Sequence, residues 1–268
     1  MLYTSIKEEA FFHLSSKGII SSRTHLLMEF AFTHIERGGN KLDDRCLLFF
    51  VKDPAHGAVK TRLASAVGKT IAQDLYVNFI HDMLSQLEKA DYPFFICVHP
   101  EDALERLRTL LGEKHQYLPQ RGDDLGQKME YCINNAFSIG FRRVLLIGSD
   151  IPDLPEEIIG NAFRFLNTFD CVIGPSLDGG YYLIGFRRDS LLPEAFRGIQ
   201  WGTDIVLKKT TDILRIHHVS VHLLQTWRDI DTLEDLKHFF ETNKDTSACP
   251  RTMTYLHTTK LLPSGHST

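Results

Sequence analysis

Long apolar runs are missing from this 268-residue sequence. None approaches the roughly 20 residues that a bilayer-spanning helix requires. The first residues, MLYTSIKEEAFFHLSSKG, also lack the charged start and unbroken apolar stretch of a signal peptide, so a cytoplasmic protein without a membrane span is expected. A basic excess is missing too. Lys and Arg number 30 against 34 Asp and Glu, a formal net charge of −4, and no basic stripe interleaved with aromatics occurs, which argues against nucleic acid as a partner. Cysteine is sparse. The five cysteines are scattered without a Cys-x-x-Cys pair, so reduced thiols are expected rather than a disulfide framework or a zinc site. His217, His218 and His222 cluster in sequence, yet strand alternation sends His217 to the opposite face.

What remains is ordinary for a globular chain, with 43% hydrophobic and 24% charged residues. Residues 1–44 read as a helical extension, closed by Gly38 and Gly39. Residues 242–268 lose apolar periodicity and gain Thr, Ser, Pro and Gly, which predicts a loose tail. Between them, residues 45–241 alternate. CLLFFV is an unbroken apolar strand, and from Lys69 the residues Ile71, Leu75, Phe79, Met83 and Leu87 fall four apart on one helical face. FFICVH, RVLLIG, DCVIG and GYYLIGF read as further strands between helical segments. Strands alternating with helices of this length predict an α/β fold, with a mostly parallel central sheet covered by helices on both faces. Ligands then bind beyond the carboxyl ends of the strands, which selects the loops after Val51, Gly148 and Gly174 and the segment around Asp229.

In the first loop, VKDPAHGAVKTRLA, Pro54 and Gly57 stop the strand, and Lys60 with Arg62 can converge on phosphate oxygens beside Thr61. The spacing is neither the Walker pattern nor Gly-x-Gly-x-x-Gly, and a solvated helix start would look the same. In LLIGSDIPDLP a strand ends by presenting Ser149 and Asp150, where a carboxylate can hold a divalent cation or, like Asp153, cap the next helix. In IGPSLDGGYYLIGF, Asp178 precedes Gly179 and Gly180, which permit close approach to the backbone or form a hairpin turn. In WGTDIVLKKT, Thr203 or Asp204 can cap a helix. In TWRDIDTLEDL, Asp229 and Asp231 bracket Ile230, so they share one face of a short strand and can complete a cation site, while Thr232 and Asp235 fit a capping box. Asp123 and Asp124 read as a helix cap.

The order of these motifs, KTRL, GSDIP, GPSLDGGYYLIG, WGTD and DIDTLEDL, resembles a glycosyltransferase family first catalogued as an uncharacterised domain and linked by name to arsenosugar biosynthesis. That family lies in the nucleotide-diphospho-sugar transferase superfamily and is similar to molybdenum-cofactor and 2-phospholactate guanylyltransferases. The resemblance covers about Cys46 to Phe240. It implies a Rossmann-like glycosyltransferase A fold and a metal-dependent transferase that uses a nucleotide sugar, a small-molecule acceptor and Mg²⁺ or Mn²⁺. Nucleotidyl transfer from a nucleoside triphosphate is the alternative, and a non-catalytic nucleotide-binding module the second alternative. The resemblance makes Gly57, Lys60, Thr61 and Arg62 the nucleotide-phosphate loop, and Asp150 and Asp178 the catalytic pair. Asp150 is the metal ligand, with Asp229 or Asp231 as candidates for the second. Gly179, Gly180, Trp201 and Asp204 fall on the substrate side.

Overall fold

A computed structural model describes residues 44–55 and 59–262. Gly57 and, apart from Asp44, the expected N-terminal extension lie outside the described residues. The seven strands are β1 (Arg45–Lys52), β2 (Phe94–His99), β3 (Tyr117–Pro119), β4 (Arg143–Ile147), β5 (Cys171–Pro175), β6 (Tyr181–Arg187) and β7 (Val221–Leu223). They form one sheet in the order β3-β2-β1-β4-β6-β5-β7. Only β6 runs against the rest, pairing antiparallel with both β4 and β5, so the expected mostly parallel sheet is present.

The apolar strands are continuous because both of their faces are buried. Along β1, Leu47, Phe49 and Val51 enter one core, whereas Cys46, Leu48 and Phe50 enter the other, as the period-two alternation of a strand dictates. The first core is covered by α1 (Thr61–Val67), α2 (Lys69–Leu87), α3 (Leu104–Leu111), α5 (Glu156–Phe165), α7 (Leu233–Asn243) and α8 (Pro250–Thr259). On the opposite face, α4 (Leu125–Ile139) contributes Met129, Ile133 and Ala136, and α6 (Val206–Ile216) contributes Leu214. Each fully buried Leu or Phe stabilises the fold by roughly 1.5–3 kcal/mol relative to exposure.

Local chemistry sets several boundaries as expected. Asp124 caps α4 by accepting from the Gln127 amide at 2.8 Å, and Thr232 with Asp235 forms a full capping box on α7. Two expectations fail. Neither Thr203 nor Asp204 caps α6, whose N-cap is Ile205; the Thr203 hydroxyl donates to the Gln200 carbonyl instead, at 2.7 Å. The expected loose tail contains α8, which buries Met253 and Leu256 against the core. Its first turn is held by Asp82 of α2, which is 1% exposed and accepts from the amides of Arg251 at 3.0 Å and Thr252 at 2.8 Å. A buried carboxylate from another helix thus supplies the cap that Cys249 cannot.

The cysteines are free and buried. Cys249, placed by sequence in the tail, packs against the core with its thiol 3.2 Å from the Pro152 carbonyl. His222 stacks on Phe165, ring centroids 3.5 Å apart, and among the described residues the histidines form no metal-ligating cluster. No helix among them is long and apolar enough to cross a membrane.

Candidate active site

At the carboxyl edge of the sheet lies a cavity of about 490 Å³, within the usual range for small-molecule sites. Its wall includes Val51 and Lys52 from the end of β1, His99 from β2, Gln120 just past β3, and Gly148, Ser149 and Asp150 after β4. Tyr181 and Tyr182 enter from the start of β6. The loops after Val51 and Gly148 reach this cavity because the parallel strands β1 and β4 end together there, and the segment around Asp229 reaches it through Asp231.

Lys60, on the turn into α1, is the hub. Its ammonium donates to Asp231 Oδ1 at 2.7 Å and forms an ion pair with Asp150 Oδ1 at 2.8 Å. The side chain is only 3% exposed. Burial penalises its charge, but the attraction of Asp150 and Asp231 prevails and holds its pKa above the ordinary lysine value. Its backbone occupies the left-handed region, φ 52° and ψ 46°.

Beside this pair three carboxylates converge. One oxygen each from Asp178, Asp229 and Asp231 lies within 4.8 Å of the others. Burial and the like charges of Asp178 and Asp231 raise Asp229 to about 6. Asp178 reaches the group from the β5–β6 turn, where its Oδ1 accepts from the Ser176 hydroxyl and from the Gly180 amide, the latter at 2.9 Å. Gly179 has φ +88°, and a Cβ there would lie 2.1 Å from the Asp204 carbonyl oxygen, so only glycine fits. The hairpin turn and the close approach expected at this motif are therefore one feature. Asp229 and Asp231 do not lie on a strand. An irregular segment is pinned by the Ile230 amide, which donates to the Asp150 carbonyl at 2.9 Å, and by burial of Ile230.

Other expected residues take different places. Asp153 neither caps α5 nor joins the acidic group; it accepts from Trp227 Nε1 at 3.0 Å and Asn243 Nδ2 at 3.1 Å. Thr61 and Arg62 are exposed outside the cavity wall. Trp201 packs edge-on to Tyr181 at 6.3 Å and against Gly126, where a Cβ would come within 2.8 Å of its ring. Asp204 is exposed with its backbone carbonyl against Gly179, and the Leu207 amide donates to the Gly179 carbonyl at 2.9 Å.

Sequence reasoning missed the supports. Tyr76 on α2, read only as part of a helix, accepts from the Lys52 amide at 3.0 Å and shares a 2.7 Å hydrogen bond with Ser149, so it ties the end of β1 to the Asp150 loop. Asp53, 1% exposed, pairs with Arg106 and accepts from the Ala55 amide at 3.1 Å, anchoring the start of the Lys60 loop. Asp53 was detectable as an acid following a buried strand. Tyr76 carried no local signal.

Hard carboxylate oxygens in this number suit Mg²⁺ or Mn²⁺, and no thiolate stands near to favour a softer metal. Asp178, Asp229 and Asp231 are the residues that would hold such a cation, with Asp150 adjacent through Lys60.

This is an α/β sheet of the nucleotide-diphospho-sugar transferase type, with charge concentrated at its carboxyl edge. Residues 83–203 match the family described as "Uncharacterized protein conserved in bacteria (DUF2064)", and the chain belongs to that family. It is 41% identical to a structurally determined protein from Desulfovibrio desulfuricans G20, provisionally named a nucleotide-diphospho-sugar transferase. That match covers 82% of this chain and 96% of the other, with a TM-score of 0.78. It is also 28% identical over 185 residues to the 2-phospho-L-lactate guanylyltransferase of Methanocaldococcus infernus, covering 68% of this chain and 79% of the relative. The enzyme of the same name from Methanocaldococcus jannaschii is 24% identical over 194 residues, or 70% of this chain and 80% of that one. The arsenosugar connection finds no support among these relatives.

Proposed function

We propose that the protein is a divalent-cation-dependent nucleotidyltransferase, in which a phosphate oxygen of a small acceptor attacks the α-phosphorus of a nucleoside triphosphate. The new P–O bond forms as the bond from the α-phosphorus to the β-bridging oxygen breaks, and pyrophosphate leaves. The observation that carries this reading is Lys60 held between Asp150 and Asp231 next to the Asp178 and Asp229 carboxylates. A buried cation and a cluster of hard anionic ligands at one cavity edge suit a polyphosphate and its counter-ion. The guanylyltransferase relatives support the reaction type, and favour it over the sugar transfer that the motif order implies.

The roles divide by charge. Bound Mg²⁺ or Mn²⁺ would offset the charge that builds on the departing pyrophosphate. Lys60 supplies positive charge to the phosphates from the cavity wall, and Arg62, exposed just outside that wall and without a carboxylate partner among the described residues, is free to swing toward an entering polyphosphate. The phosphate acceptor is already anionic near neutral pH, so no general base is required at the attacking oxygen. The cavity wall of Gln120, Tyr181 and Tyr182 encloses the reacting groups, and Gly179, Gly180 and Asp204 frame the acceptor side.

Sugar transfer from a nucleotide sugar is the second reading, favoured by the name of the 41% identical relative. One experiment separates the two. The purified protein is incubated with Mn²⁺ and a panel of phosphorylated hydroxy acids and sugar phosphates, in one arm with each nucleoside triphosphate and in the other with each nucleotide sugar, and pyrophosphate and nucleoside diphosphate are followed by coupled assays. Release that needs both substrates supports nucleotidyl transfer. Nucleoside diphosphate formed from a nucleotide sugar, without pyrophosphate, supports sugar transfer; tight nucleotide binding without turnover leaves a binding module.

A further inference from the structure

Asp231 has two claims on it. It accepts a hydrogen bond from Lys60 at 2.7 Å, and it is one of the three carboxylates whose oxygens converge within 4.8 Å. Lys60 is equally divided. Its ammonium is enclosed, with the side chain 3% exposed, and at the cavity wall it is paired with two carboxylates. The backbone that aims it there is left-handed, a conformation that a residue with a Cβ rarely adopts. With two of its three N–H donors committed to Asp150 and Asp231, the ammonium has at most one to offer a phosphate while it stays there, and an Asp231 bound to that ammonium is a poorer ligand for a second cation.

We propose that Lys60 is an internal counter-ion that exchanges partners. It holds Asp150 and Asp231 in the resting site, then surrenders Asp231 to the divalent cation and moves onto a phosphate oxygen when a metal-bound triphosphate enters. This inference rests on the nucleotidyl-transfer reading above. The exchange keeps charge matched: the carboxylates trade an ammonium for a metal cation, and the ammonium trades carboxylates for a phosphate. A free cation must evict Lys60 with nowhere for it to go, and a free triphosphate must draw Lys60 from two carboxylates that are left unpaired. Each ligand therefore binds weakly alone and the two bind cooperatively, which is a coupling free energy between them.

Lys128 provides the comparison. It lines the same cavity with no acidic partner among the described residues, so it contributes a similar charge without competing for Asp231. Binding of Mn²⁺ to nucleotide-free, full-length protein is measured by the loss of the free-ion paramagnetic resonance signal. Lys60→Met is expected to bind Mn²⁺ about tenfold tighter than wild type, and Lys128→Met within about twofold of wild type. No tightening in Lys60→Met, or the same tightening in both variants, overturns the exchange, the latter because it reveals only a general charge effect. A wild-type readout covers the case in which Lys60→Met does not fold. Acetic anhydride modification, located by mass spectrometry, is expected to reach Lys60 faster at saturating Mn²⁺ than without it, and an unchanged rate overturns the proposal. Unchanged labelling in a protein that releases pyrophosphate would sink the exchange alone. Faster labelling in a protein that never releases pyrophosphate would sink the nucleotidyl-transfer reading, and with it the move onto a triphosphate, and leave only the exchange of Lys60 for a divalent cation at Asp231 standing.

Discussion

Lys60 Nζ donates a 2.7 Å hydrogen bond to Asp231 Oδ1 across 171 positions of sequence. That contact joins the first loop of the sheet to the segment leading into α7, and it closes the acidic group around a single buried ammonium. The site is thus built from chain segments that have no local reason to know of one another, and Lys60 meets both of its carboxylates only when all of them arrive.

Asp231 therefore has a larger effect on activity than on folding. Asp231→Asn keeps the shape and the hydrogen-bond acceptor for Lys60 but removes one of three converging charges. Loss of a contact that stabilises charge in the transition state typically costs on the order of 2.7–4 kcal/mol, so pyrophosphate release is expected to fall roughly 10²–10³-fold in kcat/KM. Mn²⁺ affinity should fall in the same variant. Wild-type kcat/KM in Asp231→Asn would remove this carboxylate from the reaction.

Tyr76 tests whether the Asp150 loop needs its support. Tyr76→Phe leaves the Lys52 amide and the Ser149 hydroxyl without the partner they share, in a place where Tyr76 is buried. Leaving such groups unpaired costs about 1–3 kcal/mol, to be read from urea denaturation. If stability is unchanged, water replaces the phenol at no cost and the link between β1 and β4 is weaker than the geometry implies.

The parts of this molecule that were legible in sequence are those whose signal is local. β1 and β4 announce themselves because burial on two faces forces continuous apolar runs, and Asp150 and Asp178 stand out as acids just past the ends of strands. Asp124 and the Thr232–Asp235 box follow from side chains reaching their own backbone. What was not legible depends on distant partners. α8 is rich in Thr and offers few apolar residues, so its sequence resembles a tail until Asp82 caps it from another helix. Asp153 looks like a helix cap until Trp227 and Asn243 occupy both of its oxygens. Tyr76 looks like core because it is core, with only its hydroxyl serving the site.

The docking of α8 hangs on that Asp82 cap. Asp82→Ala strands the amides of Arg251 and Thr252 and removes the only carboxylate that holds the first turn among the described residues. A loss of about 1–3 kcal/mol is expected, together with faster amide hydrogen exchange across residues 250–259. Uniform acceleration throughout the chain, with no excess there, would show that α8 does not open as a unit.

Acid sensitivity is expected where three strands meet. Asp170, just before β5, accepts from the Ser220 hydroxyl at 2.6 Å and the Ser220 amide at 3.0 Å, and it pairs with Arg187 at the end of β6. Burial alone raises its pKa, but these hydrogen bonds and the guanidinium outweigh it, and the carboxyl sits below its ordinary value. A depressed pKa means that the unfolded chain takes up the proton first. The stabilisation is therefore complete above the ordinary carboxylate value of about 4 and is lost as pH falls through the lower folded value. Asp170→Asn is expected to be less stable than wild type by about 1–2 kcal/mol at pH 7, with the gap narrowing steadily below about pH 4. Urea midpoints of both proteins at pH 7, 4 and 3 measure this directly. A gap that stays constant to pH 3 would mean that Asp170 holds the strand ends through hydrogen-bond geometry alone, with its charge contributing nothing.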